Sequence, residues 1–204
     1  MIKVGIIGCG KITQVRHAPE YAENKDCELT AFYDVVRERA EELAKEYGGK
    51  VYDSVEELLA SDVDAVSVCV ANAYHAEVSI QALKAGKHVL CEKPMATTPE
   101  DCEAMVKAAE ESGKILMIGL NQRLAKAHAK AKEIIESGEM GNLITFQTNF
   151  CHPGPEGWTG LKDSWFFDKK VAAFGAMADL GVHKTDMVNY VTGHIITETT
   201  AVIA

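Results

Sequence analysis

Three short stretches of the 204-residue chain carry side chains whose types and spacing suit chemistry. The first is Glu92-Lys93-Pro94, which closes the apolar run Val89-Leu90-Cys91. A buried strand gains nothing from an acid and a base at its end, so these charges are expected to face a ligand. The second is GIIGCGKIT, residues 5–13, in which Gly8 and Gly10 come directly off a β-branched run. Glycines there allow a tight turn and a bare backbone beside a helix N-terminus, where free N–H groups and the helix dipole favour a pyrophosphate. Thr13 stands where G-x-G-x-x-G/A places its third small residue, which weakens the match without breaking it. The third is ADLGVHKTD: on a helix, Asp179, His183 and Asp186 fall at i, i+4 and i+7 on one face. Imidazole is suited to taking a hydroxyl proton near neutral pH.

Further residues fit around these. Gly8 and Gly10, with Lys11 and Ile12 after them, form the expected dinucleotide contact. Asp34 ends the second apolar run and is placed to accept hydrogen bonds from an adenosine ribose. Its charge repels a 2′-phosphate and so favours NAD over NADP, while Arg37 nearby leaves NADP possible. His152, Trp158 and Trp165 lie in a Gly-, Pro- and aromatic-rich stretch and are expected to meet substrate, since aromatic faces stack on sugar C–H surfaces; the alternative is aromatic packing within a long loop. Arg123 reads either as a cofactor or substrate contact or as a surface ion pair. Cys151 and His152 are adjacent, but no further ligands stand at usable spacing, so no metal is expected. His17, His88, His128 and His194 are given no role.

The elements that must position these side chains alternate. KVGIIG, ELTAFYD, KVY, DAVSVCV, HVLCE and KILMIGL read as strands, and helical patterns separate them. Pro19 marks a kink or early stop in the first helix. Ser54 with Glu57 has capping-box spacing, Thr98-Pro99 reads as a helix start, and Asn72 is a candidate cap for the next helix. Strands alternating with helices predict an α/β fold with a doubly wound parallel sheet over residues 1–121. From residue 122 the pattern changes. LITFQTNF alternates residue by residue, and IITETTAVIA is one more strand-like run, which predicts a second α/β domain over 122–204 with an open, mostly antiparallel sheet. Two strands alone do not make a stable sheet, so this domain is expected to be incomplete, and the chain to be a truncated or split form of a longer protein.

Composition narrows the class. With 47% hydrophobic and 25% charged residues the chain is neither disordered nor collagen-like, and its apolar runs are too short to cross a bilayer. A net charge of -9 argues against nucleic acid, which needs concentrated Lys and Arg. The six cysteines include no C-x-x-C pair and read as reduced thiols. The first strand pattern begins at once, with no basic start, apolar core and cleavage site before it, so the expected compartment is the cytoplasm.

The combination of GIIGCGKI, NAYHAEVSIQALKAGKHVLCEKPMA, GLNQR and DLGVHKTD resembles the Gfo/Idh/MocA oxidoreductases over essentially the whole chain, with AGKHVLCEKP its most specific block. The resemblance implies a Rossmann domain followed by an α/β domain with an open sheet that also carries oligomer contacts, hence a homo-oligomer in the complete protein. It implies an NAD-dependent enzyme, with NADP possible, that oxidises or reduces a hydroxyl or carbonyl on a sugar, cyclitol or related compound. It places Glu92 and Lys93 beside the nicotinamide, with Lys93 stabilising alkoxide charge and a cis bond before Pro94. It makes His183 the proton acceptor with Asp179 in support, and puts Asn72 and His75 on the cofactor side. In one departure, Ala71 stands where many such proteins have proline. Two other readings stay open: a non-catalytic NAD-binding subunit or fragment, and an enzyme that uses tightly bound NAD for transient oxidation.

Overall fold

The computed structural model describes residues 1–160 and 162–202. Its sheet is built from six strands: β1 (Ile2–Ile7), β2 (Cys27–Tyr33), β3 (Lys50–Val51), β4 (Ala65–Val68), β5 (His88–Cys91) and β6 (Leu116–Ile118). Their order is β3-β2-β1-β4-β5-β6 and every pairing is parallel. All six strands read from the sequence are present, in the order of a doubly wound dinucleotide fold.

Both faces of this sheet are covered. Ile6 and Ile7, neighbours in β1, point to opposite sides and are each 0% exposed. Ile6 joins Val4, Phe32, Ala18, Ala40 and Leu43 beneath α1 (Ala18–Glu23) and α2 (Arg37–Tyr47). Ile7 joins Val66, Leu58, Leu83 and Met105 beneath α3 (Val55–Leu59), α4 (His75–Lys84) and α5 (Pro99–Ser112). Burial on both sides explains why these strands read as continuous apolar runs rather than alternating ones.

The local signals act as their chemistry requires, with two exceptions. Ser54 Oγ accepts from Glu57 N, Thr98 Oγ1 accepts from Asp101 N with Pro99 opening α5, and Gly113 closes that helix in the left-handed conformation. Asn72 does not cap: it lies in a 3-10 turn, Asn72–Tyr74, and neither that turn nor α4 has a side-chain cap. Pro19 does not stop the first helix. The turn before it, Thr13–His17, is wound as a π-helix that runs on into α1. Proline has no N–H to give to the carbonyl four residues back and its ring crowds that carbonyl, and a widened turn relieves both.

The chain divides into two compact units, Met1–Gly119 with Pro153–Gly175, and Leu120–His152 with Ala176–Ala204. The first holds the sheet together with the short helices α7 (Pro155–Thr159) and α8 (Lys169–Ala172). The second is built on α6 (Lys126–Glu136) packed against α9 (Val182–Thr192), with a π-turn, Met177–Gly181, leading into α9. The antiparallel sheet expected here is not formed among the described residues. Residues 143–150 and 195–202 run without ladder partners, and Ile144 and Val202 are each 95% exposed. Alternation tells which side chains would share a face, but a strand exists only where a neighbour takes its N–H and C=O groups. Ile203 and Ala204, the end of the second expected strand, and Leu161 in the aromatic loop lie outside the described residues. No helix among the described residues is long and apolar enough to cross a membrane.

Candidate active site

In a parallel sheet the carboxyl ends of all strands open on one edge, and the register here lines them up. Tyr33, Ile7, Val68, Cys91 and Ile118 form one row across β2, β1, β4, β5 and β6. The residues one step beyond are Asp34, Gly8, Cys69, Glu92 and Gly119. The expected cofactor loop, the expected ribose acid and the Glu-Lys-Pro turn therefore start side by side. The order of connection reverses between β1 and β4, where such sheets leave a ligand crevice.

Gly8 has φ +97°, and a Cβ on it would lie 2.5 Å from the Cys69 carbonyl oxygen, so only glycine lets the loop after β1 pass this close to the end of β4. A Cβ on Gly10, by contrast, would meet nothing within 4 Å. Open space over a bare backbone at the start of a helix is what a pyrophosphate needs, so the loop fits the group it was expected to hold. Thr13 turns its departure from the glycine pattern to use: its buried hydroxyl donates to Gly8 O at 2.6 Å and ties the loop to the helix.

Asp34 holds the same loop from the other side. Its Oδ2 accepts from Cys9 N at 2.6 Å and its Oδ1 from Val36 N at 2.8 Å, and Arg39 stands 3.8 Å away. Each carboxylate oxygen has a second acceptor site, which leaves capacity for ribose hydroxyls. Arg37 is engaged by Glu41 and Asp53. Burial pushes the Cys9 thiol up, and the Cys91 thiol up to about 12, so both are neutral packing groups.

The Glu-Lys-Pro turn is anchored on several sides. The Lys93–Pro94 bond is cis. Glu92 Oε2 accepts from Lys93 N at 3.1 Å, and Glu92 Oε1 lies 2.9 Å from His17 Nε2. His75 is 1% exposed, with Nδ1 2.6 Å from Pro94 O and Nε2 3.0 Å from Val70 O. It therefore bridges the turn after β5 and the loop after β4, with both ring nitrogens at backbone carbonyls. Burial holds it below the ordinary histidine value. Asn72 is likewise buried and donates to Ala172 O at 3.0 Å, fastening α8. In the 153–175 segment, Trp165 stacks on Phe166 at 4.0 Å and Trp158 meets Phe166 edge-on, so these aromatics pack on one another.

The second unit gathers a different set. His183 is 7% exposed on α9, with the Phe150 ring edge-on at 6.0 Å. Lys184 Nζ lies 4.9 Å from the centre of that ring and donates to Gln122 Oε1. Asp179, on the π-turn, pairs with His152 at 2.9 Å. Asp186 is buried and takes both Nε and Nη2 of Arg123, which also lies over Tyr190. Arg123 thus forms an ion pair, with a buried rather than a surface carboxylate as its partner. His17 was given no role by sequence, and the only signal for it was its place one turn beyond the glycine loop.

Comparison with known proteins agrees with this geometry. Residues 2–120 match the sequence profile described as oxidoreductase family, NAD-binding Rossmann fold, and residues 128–204 match the GFO/IDH/MocA C-terminal domain. The chain belongs to this family of oxidoreductases. It is 36% identical to D-glucoside 3-dehydrogenase of Escherichia coli K12 over 94% of this chain and 54% of that protein. Among solved structures it is similar to KijD10, a 3-ketoreductase from Actinomadura kijaniata in complex with NADP and TDP-benzene, with a TM-score of 0.81, 32% identity, and coverage of 92% of this chain and 56% of that one. It is similar too to GenD2 from gentamicin A biosynthesis in complex with NAD, with a TM-score of 0.82, 27% identity, and coverage of 94% and 54%. The chain spans about half the length of the curated relatives it matches.

Proposed function

We propose that the chain serves an NAD(P)-dependent oxidoreductase acting on a CH–OH or carbonyl group of a sugar, cyclitol or related compound, with residues 1–121 as the dinucleotide domain and 122–204 as part of a substrate and oligomer-forming domain. The observation that supports this best is the row Asp34, Gly8, Cys69, Glu92 at the carboxyl edge of the sheet, with a glycine loop that leaves open space at Gly10. Bound nicotinamide would supply the hydride acceptor or donor at its C4. Lys93 stabilises negative charge on the substrate oxygen as hydride leaves its carbon, and His183 takes the O–H proton, so two electrons and one proton are accounted for. Asp179 and His152, joined by a hydrogen bond, orient the substrate. The names of D-glucoside 3-dehydrogenase and of the KijD10 3-ketoreductase make the 3-hydroxyl of a glucoside the first substrate to try, ahead of cyclitols. In the same reading the alternating stretch 143–150 and the run 195–202 are sheet strands that pair with a partner edge.

The test is a panel of glucosides and cyclitols with NAD and NADP, followed at the NADH absorbance. At least one substrate should reduce cofactor. K93A and H183A should each lose roughly 100-fold or more in turnover while NAD affinity stays within a few-fold. Absence of turnover across the panel, or near-normal turnover in either variant, would count against the assignment.

A further inference from the structure

The carboxyl edge of the sheet carries one buried polar cluster that neither the cofactor loop nor the proposed chemistry uses. His17 closes the π-wound turn Thr13–His17, and its ring reaches across two strands. Nδ1 lies 2.9 Å from Ser67 Oγ on β4, and Nε2 lies 2.9 Å from Glu92 Oε1 just past β5. Tyr21, one turn further along the helix, brings its hydroxyl to 3.3 Å from the same serine. Ser67 is wholly buried, and the His17 and Glu92 side chains are only 10% and 13% exposed. Space for the carboxylate is left by Gly119, where a Cβ would stand 3.2 Å from Glu92 Oε1.

We propose that His17 is a positioning residue for the Glu-Lys-Pro turn: its ring, fixed between Ser67 and Glu92, holds the carboxylate that accepts the Lys93 N–H, and so sets the lysine for its work. The proposal rests on the reading of Lys93 as the group that stabilises charge. A carboxylate this buried would on its own drift toward the neutral acid, and a neutral acid is a poorer acceptor for Lys93 N–H. Burial does push Glu92 up, but hydrogen bonding and charge from His17 outweigh it, with Lys93 adding less, and the carboxyl ends below its ordinary value. Burial opposes charge on His17 too, yet Cys69 and Glu92 outweigh it and raise the ring to about 10. The groups around the ring are Tyr21 from its own helix, Ser67 and Cys69 from β4 and its end, and Glu92 with Lys93 beyond β5. An imidazolium donates from both nitrogens at once, which suits a hydroxyl on one side and a carboxylate on the other. It also balances the charge of Glu92 within the cluster.

The test uses the full chain in two arms, both free of substrate. In the first, isotope-labelled histidine is followed by NMR through a pH titration. His17 should stay doubly protonated across the neutral range, and E92Q should lower its pKa by roughly two units or more, the scale for losing a close opposite charge. An unchanged His17 pKa in E92Q overturns the proposal. In the second arm the Lys93 backbone amide is compared between wild type, H17A and H17Q. H17A should shift that resonance and speed its exchange about tenfold or more, while H17Q, which keeps an N–H donor, should stay near wild type. A wild-type Lys93 amide in H17A overturns the proposal. If H17A does not fold, the E92Q titration decides alone. Both arms stand even if no polyol is turned over, which separates failure of the clamp from failure of the proposed reaction. With an active substrate in hand, H17A should lose roughly tenfold to a hundredfold in kcat with little change in KM for NAD, and H17Q should recover most of it; undiminished kcat in H17A counts against the proposal.

Discussion

Single side chains at the carboxyl edge do more than one task each. Asp34 was expected to meet a ribose, and it also accepts two backbone N–H groups that shape the glycine loop. Thr13, a blemish in the glycine pattern, supplies a buried hydroxyl that the pattern's usual glycine or alanine lacks. Gly8 is the least replaceable of these. Its φ of +97° and the 2.5 Å approach to the Cys69 carbonyl leave no place for a side chain. G8A should therefore destabilise the chain by at least about 2 kcal/mol and weaken NAD binding well beyond that loss. Denaturant unfolding and calorimetric titration of the same variant read the two effects separately. G10A, where a Cβ would meet nothing within 4 Å, should leave unfolding nearly unchanged and affect the cofactor alone.

At the scale of elements, two π-turns stand out because each carries or adjoins a candidate site residue. Thr13–His17 delivers His17 to Glu92, and Met177–Gly181 presents Asp179 to His152 just before α9 carries His183. A π-turn rotates the downstream residues relative to an unbroken α-helix, so spacing counted at 3.6 residues per turn misjudges which side chains share a face. The cluster around His17, in which Cys69 and then Glu92 favour the charged ring, has a definite pH signature. His17 is raised from 6.5 to about 10, so the folded chain keeps a proton that the unfolded chain releases above about 6.5. Its contribution is complete below about 6.5 and is lost as pH rises through about 10. Glu92 is lowered from 4.5, so its contribution is complete above about 4.5 and is lost as pH falls through the folded value. His75, lowered from 6.5 by burial, adds a further loss on the acid side. The thermal midpoint should fall between about pH 7 and pH 10, and the alkaline fall should be visibly shallower in E92Q. Parallel curves for the two proteins would mean that the His17–Glu92 link does not hold the first helix to β5.

At the scale of the whole molecule the two units differ in how their backbones are satisfied. The first has a six-stranded sheet with both faces covered. The second rests on α6 and α9, where Lys132 of α6 lies over the Tyr190 ring of α9 and Arg123, in the turn before α6, pairs with Asp186 of α9, while residues 143–150 and 195–202 have no ladder partners. Hydrogen exchange should therefore show strong protection over β1, β4 and β5 and little over residues 143–150 and 195–202. NAD at a hundredfold excess over its Kd should add about 2.7 kcal/mol to the first unit and further slow exchange there. Strong protection of 143–150 in the chain by itself would point instead to pairing through self-association, which light scattering would detect.

Much of this protein is legible in its sequence. Short apolar runs separated by helical patterns specify six parallel strands, and the inner ones, β1 and β4 above all, need no polar alternation because they are covered on both faces. Gly8 directly after the first strand specifies a tight turn against the end of β4, because few residues tolerate that backbone conformation and close approach. What the sequence could not tell is which polar side chains spend their hydrogen bonds on one another. Asn72 fastens α8 rather than capping α4, His75 ties two loops together, and Arg123 is committed to Asp186. His17, an unremarked residue of the first helix, reaches a carboxylate 75 positions away. Such pairings depend on strand order, register and the winding of single helical turns. Those are set by packing across the whole sheet, and local pattern does not encode them.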